Sequence, residues 1–165
     1  MGSDLTYMVD RSEITTSGSI MDKLNSQEQT GAAIANRYGL SKLLVVYNVQ
    51  YLASLVPSSE VLISTLTPGA CRSEIFRDDM HWFMKNLMQI GFNTVARSTE
   101  MGGGILVDGV RPDLSSEAHG RFLMDCKVVA SGANVDDPVG RELAAKWNEE
   151  MIRKLNQIAP GCMQL

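Results

Sequence analysis

The sequence predicts an α/β fold with a parallel sheet. Three observations predict it: a β-prone run at Leu5-Thr6-Tyr7-Met8-Val9, a helical pattern from about Gln27 to Leu55, and a continuous apolar run at Val61-Leu62-Ile63-Ser64-Thr65-Leu66 of the kind found in buried parallel strands. Strand, long helix, strand is the order of a βαβ unit, whose crossover is expected to be right-handed.

In chain order, the first strand should end in the polar group Asp10-Arg11-Ser12-Glu13. Thr15 to Asn25 is rich in Ser, Thr and Gly and reads as a loop with a helical turn. Ile34, Tyr38, Val45, Val49 and Leu52 then recur at helical spacings, and no proline interrupts them before Pro57. The pattern is apolar on more than one side, so this helix is expected to be buried on two faces. Pro68-Gly69 turns the chain after the second strand, and Arg77 to Gln89, rich in Met and aromatics, reads as a helix facing something apolar. Arg97 to Val110 is a further helix capped near Ser98, with Gly102-Gly103-Gly104 weakening its middle. Arg121-Phe122-Leu123-Met124 with Lys127-Val128-Val129 reads as a third strand or strand pair. Val139 to Ile158 closes the chain as an amphipathic helix buried along Leu143, Trp147, Met151 and Leu155.

The 165 residues suit one domain, 1–165, without a linker or internal repeat. With 44% hydrophobic and 21% charged residues, the composition argues against disorder, collagen and coiled coil. A formal charge of −4 gives no electrostatic reason to expect nucleic acid, and no apolar run is long enough for a membrane span. The N-terminus has no basic and apolar leader, and Cys71, Cys126 and Cys162 are an odd, widely spaced set, which reads as reduced thiols in a cytoplasmic protein. Neither His81 nor His119 stands at metal-ligand spacing from a cysteine or another histidine, so no metal site is expected.

The informative segment is Arg37-Tyr38-Gly39-Leu40-Ser41-Lys42. Tyr38 and Lys42 are four apart and therefore share one face of a helix, one turn from each other. A phenol ordinarily ionises near ~10, too high for easy proton exchange at neutral pH; a nearby ammonium favours the phenolate and makes the pair a general acid/base. A buried tyrosine bonded to a backbone carbonyl is the alternative for Tyr38. For Ser12, a turn or helix cap stands beside a catalytic role.

The set Tyr38-x-x-Ser41-Lys42, Pro68-Gly69 with Ser73 four residues on, Ala96-Arg97-Ser98-Thr99-Glu100, and His119 to Cys126 resembles the short-chain dehydrogenase/reductase family, in particular its fungal retinol-dehydrogenase-like members. Order and spacing follow the C-terminal half of that family's fold, so the resemblance implies a partial, Rossmann-like sheet of about three strands. It implies Tyr38 as proton donor or acceptor at a carbonyl or alcohol, with Lys42 lowering its pKa and holding the nicotinamide ribose. Pro68 and Gly69 would lie against the nicotinamide, Ser73 near its carboxamide or phosphates, and Ser12 would be the active-site serine. Asp10 and Arg11 stand where the family has small or hydroxyl residues, and Thr67 replaces an asparagine. The glycine-rich turn and ribose-binding acid of the family's dinucleotide half have no match, because Gly102-Gly103-Gly104 falls inside a predicted helix.

The resemblance therefore implies NADP- or NAD-dependent redox chemistry on a lipophilic small molecule in fungal secondary metabolism, with an incomplete cofactor site. A cofactor-independent isomerase, cyclase or dehydratase using the same pair is a second expectation, and a non-catalytic partner subunit a third. The resemblance also implies a homodimer, because in the family the long helix packs against its copy. Met80, Trp82, Phe83, Met84, Leu87 and Met88 fall where the family has a substrate lid, against plain core as the alternative. His81 reads as a surface residue, Cys71 as an inert thiol, and His119 has no assigned role.

Overall fold

A 25-residue helix and a sheet of three short strands organise the chain. The structure is a computed structural model that describes residues 1–15, 17–25, 31–71 and 96–163, and for residues 31–35 the backbone alone. In order, the helices are α1 (Ser12–Thr15), α2 (Ile20–Asn25), α3 (Gly31–Leu55), α4 (Thr99–Asp108), α5 (Ala133–Asp136) and α6 (Pro138–Ile158). The strands are β1 (Thr65–Thr67), β2 (Phe122–Met124) and β3 (Lys127–Val129). β1 and β2 run parallel with Leu66 opposite Leu123, and β2 and β3 form an antiparallel hairpin with Leu123 opposite Val128. The fold is α/β with a parallel strand pair and a long helix, consistent with part of a Rossmann-like fold.

The expected first strand at Leu5–Val9 is a correction: Asp4–Tyr7 forms a 3-10 turn. Local side-chain bonds compete here with strand pairing. The Ser3 hydroxyl accepts the Leu5 N–H at 3.3 Å, and the Thr6 hydroxyl donates to the Ser3 carbonyl at 2.9 Å. Only the Gly2 N–H reaches the sheet, donating to the Leu66 carbonyl at 2.7 Å. Gly2 permits this approach, since a Cβ there would lie 2.6 Å from the Thr65 methyl. The βαβ unit therefore lacks its first strand.

The second expected strand narrows from Val61–Leu66 to Thr65–Thr67 because His119 and Gly120 take the bonds of Ile63. His119 Nδ1 accepts the Ile63 N–H at 3.2 Å, while Nε2 lies 2.9 Å from the Ala53 and Val56 carbonyls. The imidazole thus pins the end of α3 to the start of β1. Thr15 to Asn25, expected as a loop with a helical turn, holds α2, whose first N–H groups are capped from afar. Glu150 accepts from Ile20 N at 2.9 Å, Met21 N at 3.1 Å and the Ser19 hydroxyl at 2.9 Å. Burial alone would raise the Glu150 carboxyl, but these three bonds outweigh it and hold it below its ordinary value.

The expected helix from Arg97, the strand pair between Arg121 and Val129 and the last helix hold with small changes of boundary. Ser98 caps α4 by accepting the Met101 N–H, and Asp137 caps α6 by accepting the Gly140 N–H ahead of Pro138 in the first turn. The core lies between α3, α6, α2 and β2. It contains Leu40, Leu43, Leu44, Val46 and Tyr47 of α3 with Ile14, Ile20, Phe122, Val135 and Leu143. Positions 40, 43, 44 and 47 form the i, i+3, i+4, i+7 stripe of a packed helix, and each fully buried side chain contributes about 1.5–3 kcal/mol. Tyr38 is off that stripe, contrary to the periodicity first read from the sequence. Among the described residues no helix is long and apolar enough to cross a membrane, and no group of three or more His, Cys, Asp or Glu could hold a metal ion.

Candidate active site

Tyr38 and Lys42 meet as the helical spacing predicts. The Lys42 ammonium stands over the Tyr38 ring, 5.4 Å from its centroid, and 51% of Tyr38 is exposed. This is a cation–π contact, worth about 0.5–1 kcal/mol at an exposed site. Among the described residues nothing hydrogen-bonds the Tyr38 hydroxyl, so it is open to a ligand. The core-tyrosine alternative belongs instead to Tyr47. Tyr47 is fully buried and donates its hydroxyl to the Asn134 carbonyl at 2.8 Å, and burial pushes its pKa up to about 12.

Ser12 follows a strap, residues 5–11, that runs against α3 through Val9 and Asp10. The Asn36 side chain clips this strap: its Oδ1 accepts the Asp10 N–H at 2.9 Å and its Nδ2 donates to the Asp10 carbonyl at 3.0 Å. Three residues along, α3 has Gly39, where a Cβ would stand 3.0 Å from the Val9 methyl. The strap thus crosses α3 on the side of Asn36 and Gly39, and Tyr38 stands on another side of the helix. Ser12 itself donates its hydroxyl to Asp10 Oδ2 and its N–H to Asp10 Oδ1, both at 2.8 Å. Both bonds stabilise the carboxylate and hold the exposed Asp10 below its ordinary pKa, the backbone bond foremost.

The other residue that departs from the family pattern is an anchor. Arg11 makes a two-pronged contact with Asp137, at 2.9 and 2.8 Å, and this bond together with the Gly140 N–H lowers the Asp137 pKa to about 2. The Asn134 amide donates to the Thr6 carbonyl at 2.7 Å and the Val9 carbonyl at 3.1 Å, fixing the strap from the far side. Nothing in the local sequence announced Asn36 or Asn134, since an asparagine's backbone partner cannot be read from spacing.

Pro68 and Gly69 follow the end of β1. Gly69 adopts the left-handed φ of +72°, and its N–H donates to the Thr67 hydroxyl at 3.1 Å, a role the expected asparagine could share. One side of the turn is filled: the Arg97 guanidinium lies 3.7 Å from where a Gly69 Cβ would be. Arg97 donates its N–H to Ala70 at 2.9 Å and pairs with Asp125 in the β2–β3 turn. No hydrogen bond or ion pair joins this turn to Tyr38 or Lys42 among the described residues. Ser73, the expected helix at Arg77 to Gln89, His81 and the expected lid residues lie outside the described residues.

A nicotinamide dinucleotide needs hydrogen-bond donors for its ribose, a flat seat for its ring and clustered backbone N–H groups for its diphosphate. The exposed Tyr38 hydroxyl and Lys42 ammonium suit the first need and the Pro68-Gly69 turn the second. The third is not met by Gly102-Gly103-Gly104. That run is helical, and the Cys71 sulfur already occupies the space beside Gly102, 2.5 Å from a Cβ position. These residues offer groups of the kind the nicotinamide end needs, and Gly102-Gly103-Gly104 offers no seat for the diphosphate.

Comparison with known proteins finds relatives among fungal short-chain dehydrogenases/reductases. A short chain dehydrogenase/reductase of Cryptosporiopsis sp. is 31% identical over 150 residues, covering 87% of this chain and 43% of that protein. A short-chain dehydrogenase/reductase of Aspergillus flavipes is 28% identical over 149 residues, 89% of this chain and 42% of that protein. A short chain dehydrogenase of Penicillium terrestre is 29% identical over 122 residues, 74% of this chain and 36% of that protein. The chain is a relative of part of the fungal short-chain dehydrogenases/reductases, and it spans less than half the length of these curated relatives. No family model matches it, and no solved structure does.

Proposed function

We propose that the chain carries the proton-transfer part of a short-chain dehydrogenase/reductase acting on a carbonyl or secondary alcohol of a lipophilic small molecule. The observation that supports this reading best is the open Tyr38 hydroxyl with the Lys42 ammonium 5.4 Å above its ring. Tyr38 gives a proton to, or takes one from, the reacting oxygen, and Lys42 stabilises negative charge that develops there. By the resemblance, Ser12 would orient the same oxygen. Tyr38, Lys42, Pro68, Gly69 and Ser73 would hold the nicotinamide end of NADP or NAD, which when bound supplies or accepts the hydride. The names of the relatives support the redox chemistry, and a role in secondary metabolism and a cytoplasmic, homodimeric protein belong to the same reading. Lysate-free assays of ketone reduction with NADPH and NADH test it. Tyr38→Phe should lower turnover by about 10²–10⁴-fold with the melting temperature unchanged. Undiminished turnover in that variant overturns the reading.

A second reading has its own observation: the glycine run Gly102-Gly103-Gly104 is helical, with Cys71 packed against Gly102, and so offers no diphosphate cradle. On that reading Tyr38 and Lys42 catalyse enolisation, isomerisation or dehydration without a nicotinamide. Turnover that needs no nicotinamide and disappears in Tyr38→Phe would favour it.

A further inference from the structure

An imidazole can serve a backbone donor and a backbone acceptor at once only while it is neutral, with one nitrogen bare and the other protonated. His119 serves both. Its Nδ1 accepts the Ile63 N–H at 3.2 Å, so the ring proton is on Nε2, which lies 2.9 Å from the Ala53 and Val56 carbonyls. Those carbonyls lie at the C-terminal end of α3, where no further helical turn supplies N–H partners. The backbone beside the ring is closely packed as well. Gly120 has a left-handed φ of +70° and would place a Cβ 3.1 Å from that of Ala53. Its N–H donates to the Ile63 carbonyl at 2.7 Å.

Imidazole is the side chain that ordinarily takes up a proton between about pH 8 and pH 5. A second ring proton has opposite consequences at the two nitrogens. At Nε2 nothing is lost, because a cation is favoured beside the carbonyl end of a helix. At Nδ1 the new N–H meets the Ile63 N–H, donor against donor, and that bond cannot survive. The ionisable side chains on the segments that touch the ring are Tyr51 of α3, Glu60 ahead of β1, and Glu117 and Arg121 on either side of His119. Among the described residues no hydrogen bond or ion pair joins any of them to the imidazole, whose partners are all backbone groups. We propose that His119 is an acid-released latch. A second ring proton breaks the Ile63 bond while the ring stays seated on the end of α3, so the approach to β1 is uncoupled from a helix that keeps its place.

The test is amide hydrogen exchange by NMR on the 165-residue chain, read as protection factors so that the ordinary pH dependence of exchange drops out. Protection of the Ile63 amide should fall about three- to tenfold between about pH 7.5 and pH 5, the size expected for one lost hydrogen bond. The amides of the buried turn Leu43–Tyr47 in α3 should stay within about twofold, which separates a local release from general unfolding. Ring nitrogen shifts at the higher pH should report the tautomer with its proton on Nε2. His119→Asn places an amide oxygen near the position of Nδ1 and takes up no proton, so Ile63 should stay protected at both pH values. The proposal is overturned by the Nδ1–H tautomer, by constant Ile63 protection in the wild type, or by a fall shared equally with Leu43–Tyr47. A pH dependence that persists in His119→Asn overturns it too. The wild-type measurements decide the question even if that variant does not fold.

Discussion

Tyr38 and Tyr47 sit on one helix, nine residues and hence about two and a half turns apart, on opposite faces. Tyr47 is sealed in the core with its hydroxyl on the Asn134 carbonyl, whereas half of Tyr38 faces solvent beneath a lysine ammonium. The same side chain is structural on one face and chemically available on the other. Partner and exposure separate the two, and residue type does not.

The largest expected effect breaks that comparison outright. Tyr47→Ala should cost about 3–5 kcal/mol in urea unfolding, because it empties a packed site and orphans a carbonyl; Tyr38→Ala should cost less than about 1 kcal/mol. Similar losses at both positions would mean that the two faces are not different. Alkaline titration sharpens the contrast. An unfolded tyrosine ionises near ~10, and Tyr47 in the fold at about 12, so between those values the unfolded chain holds fewer protons and stability falls as pH rises. Unfolding monitored across this range should show the loss, and Tyr47→Phe should remove that component of it. Asp137 gives the acid counterpart. Its carboxyl is held at about 2, so its contribution is present above ~4 and fades as pH falls toward 2; Arg11→Met should flatten that limb of the stability profile.

His119 asks what keeps the buried face in register. His119→Ala leaves the Ile63 N–H and the Ala53 and Val56 carbonyls without their partner, and should cost about 1–3 kcal/mol, read from the urea midpoint. The smallest effect concerns the exposed face. Lys42→Met should change stability by about 0.5–1 kcal/mol through the lost ring contact, while any effect on turnover should be far larger.

Much of the fold was legible in the sequence because periodicity and caps act locally. The long helix to Leu55, the Ser98 cap, the hairpin at Phe122–Val129 and the last helix to Ile158 all follow from such signals. Leu5–Val9 misled because β-branched and aromatic composition cannot register the Ser3 and Thr6 side chains claiming the backbone. The Tyr38–Lys42 pairing was legible from a spacing of four. The Asp10 and Asn36 contacts around Ser12 were not, since they join residues 26 apart through side-chain amide geometry. Arg11, read as a departure from a catalytic pattern, is occupied in holding Asp137, 126 residues away.

Those distant anchors have a consequence for how the protein is made. The strap leading to Ser12 depends on Asn134 and Asp137, which lie 128 and 126 positions beyond the residues they hold. During synthesis this segment emerges well before Asn134 and Asp137, so α3 can hold it early through Asn36 while its far side stays unanchored until they follow. Tyr38 and Lys42 can meet as soon as their helix forms, so their contact is made early and the far anchors of the strap last.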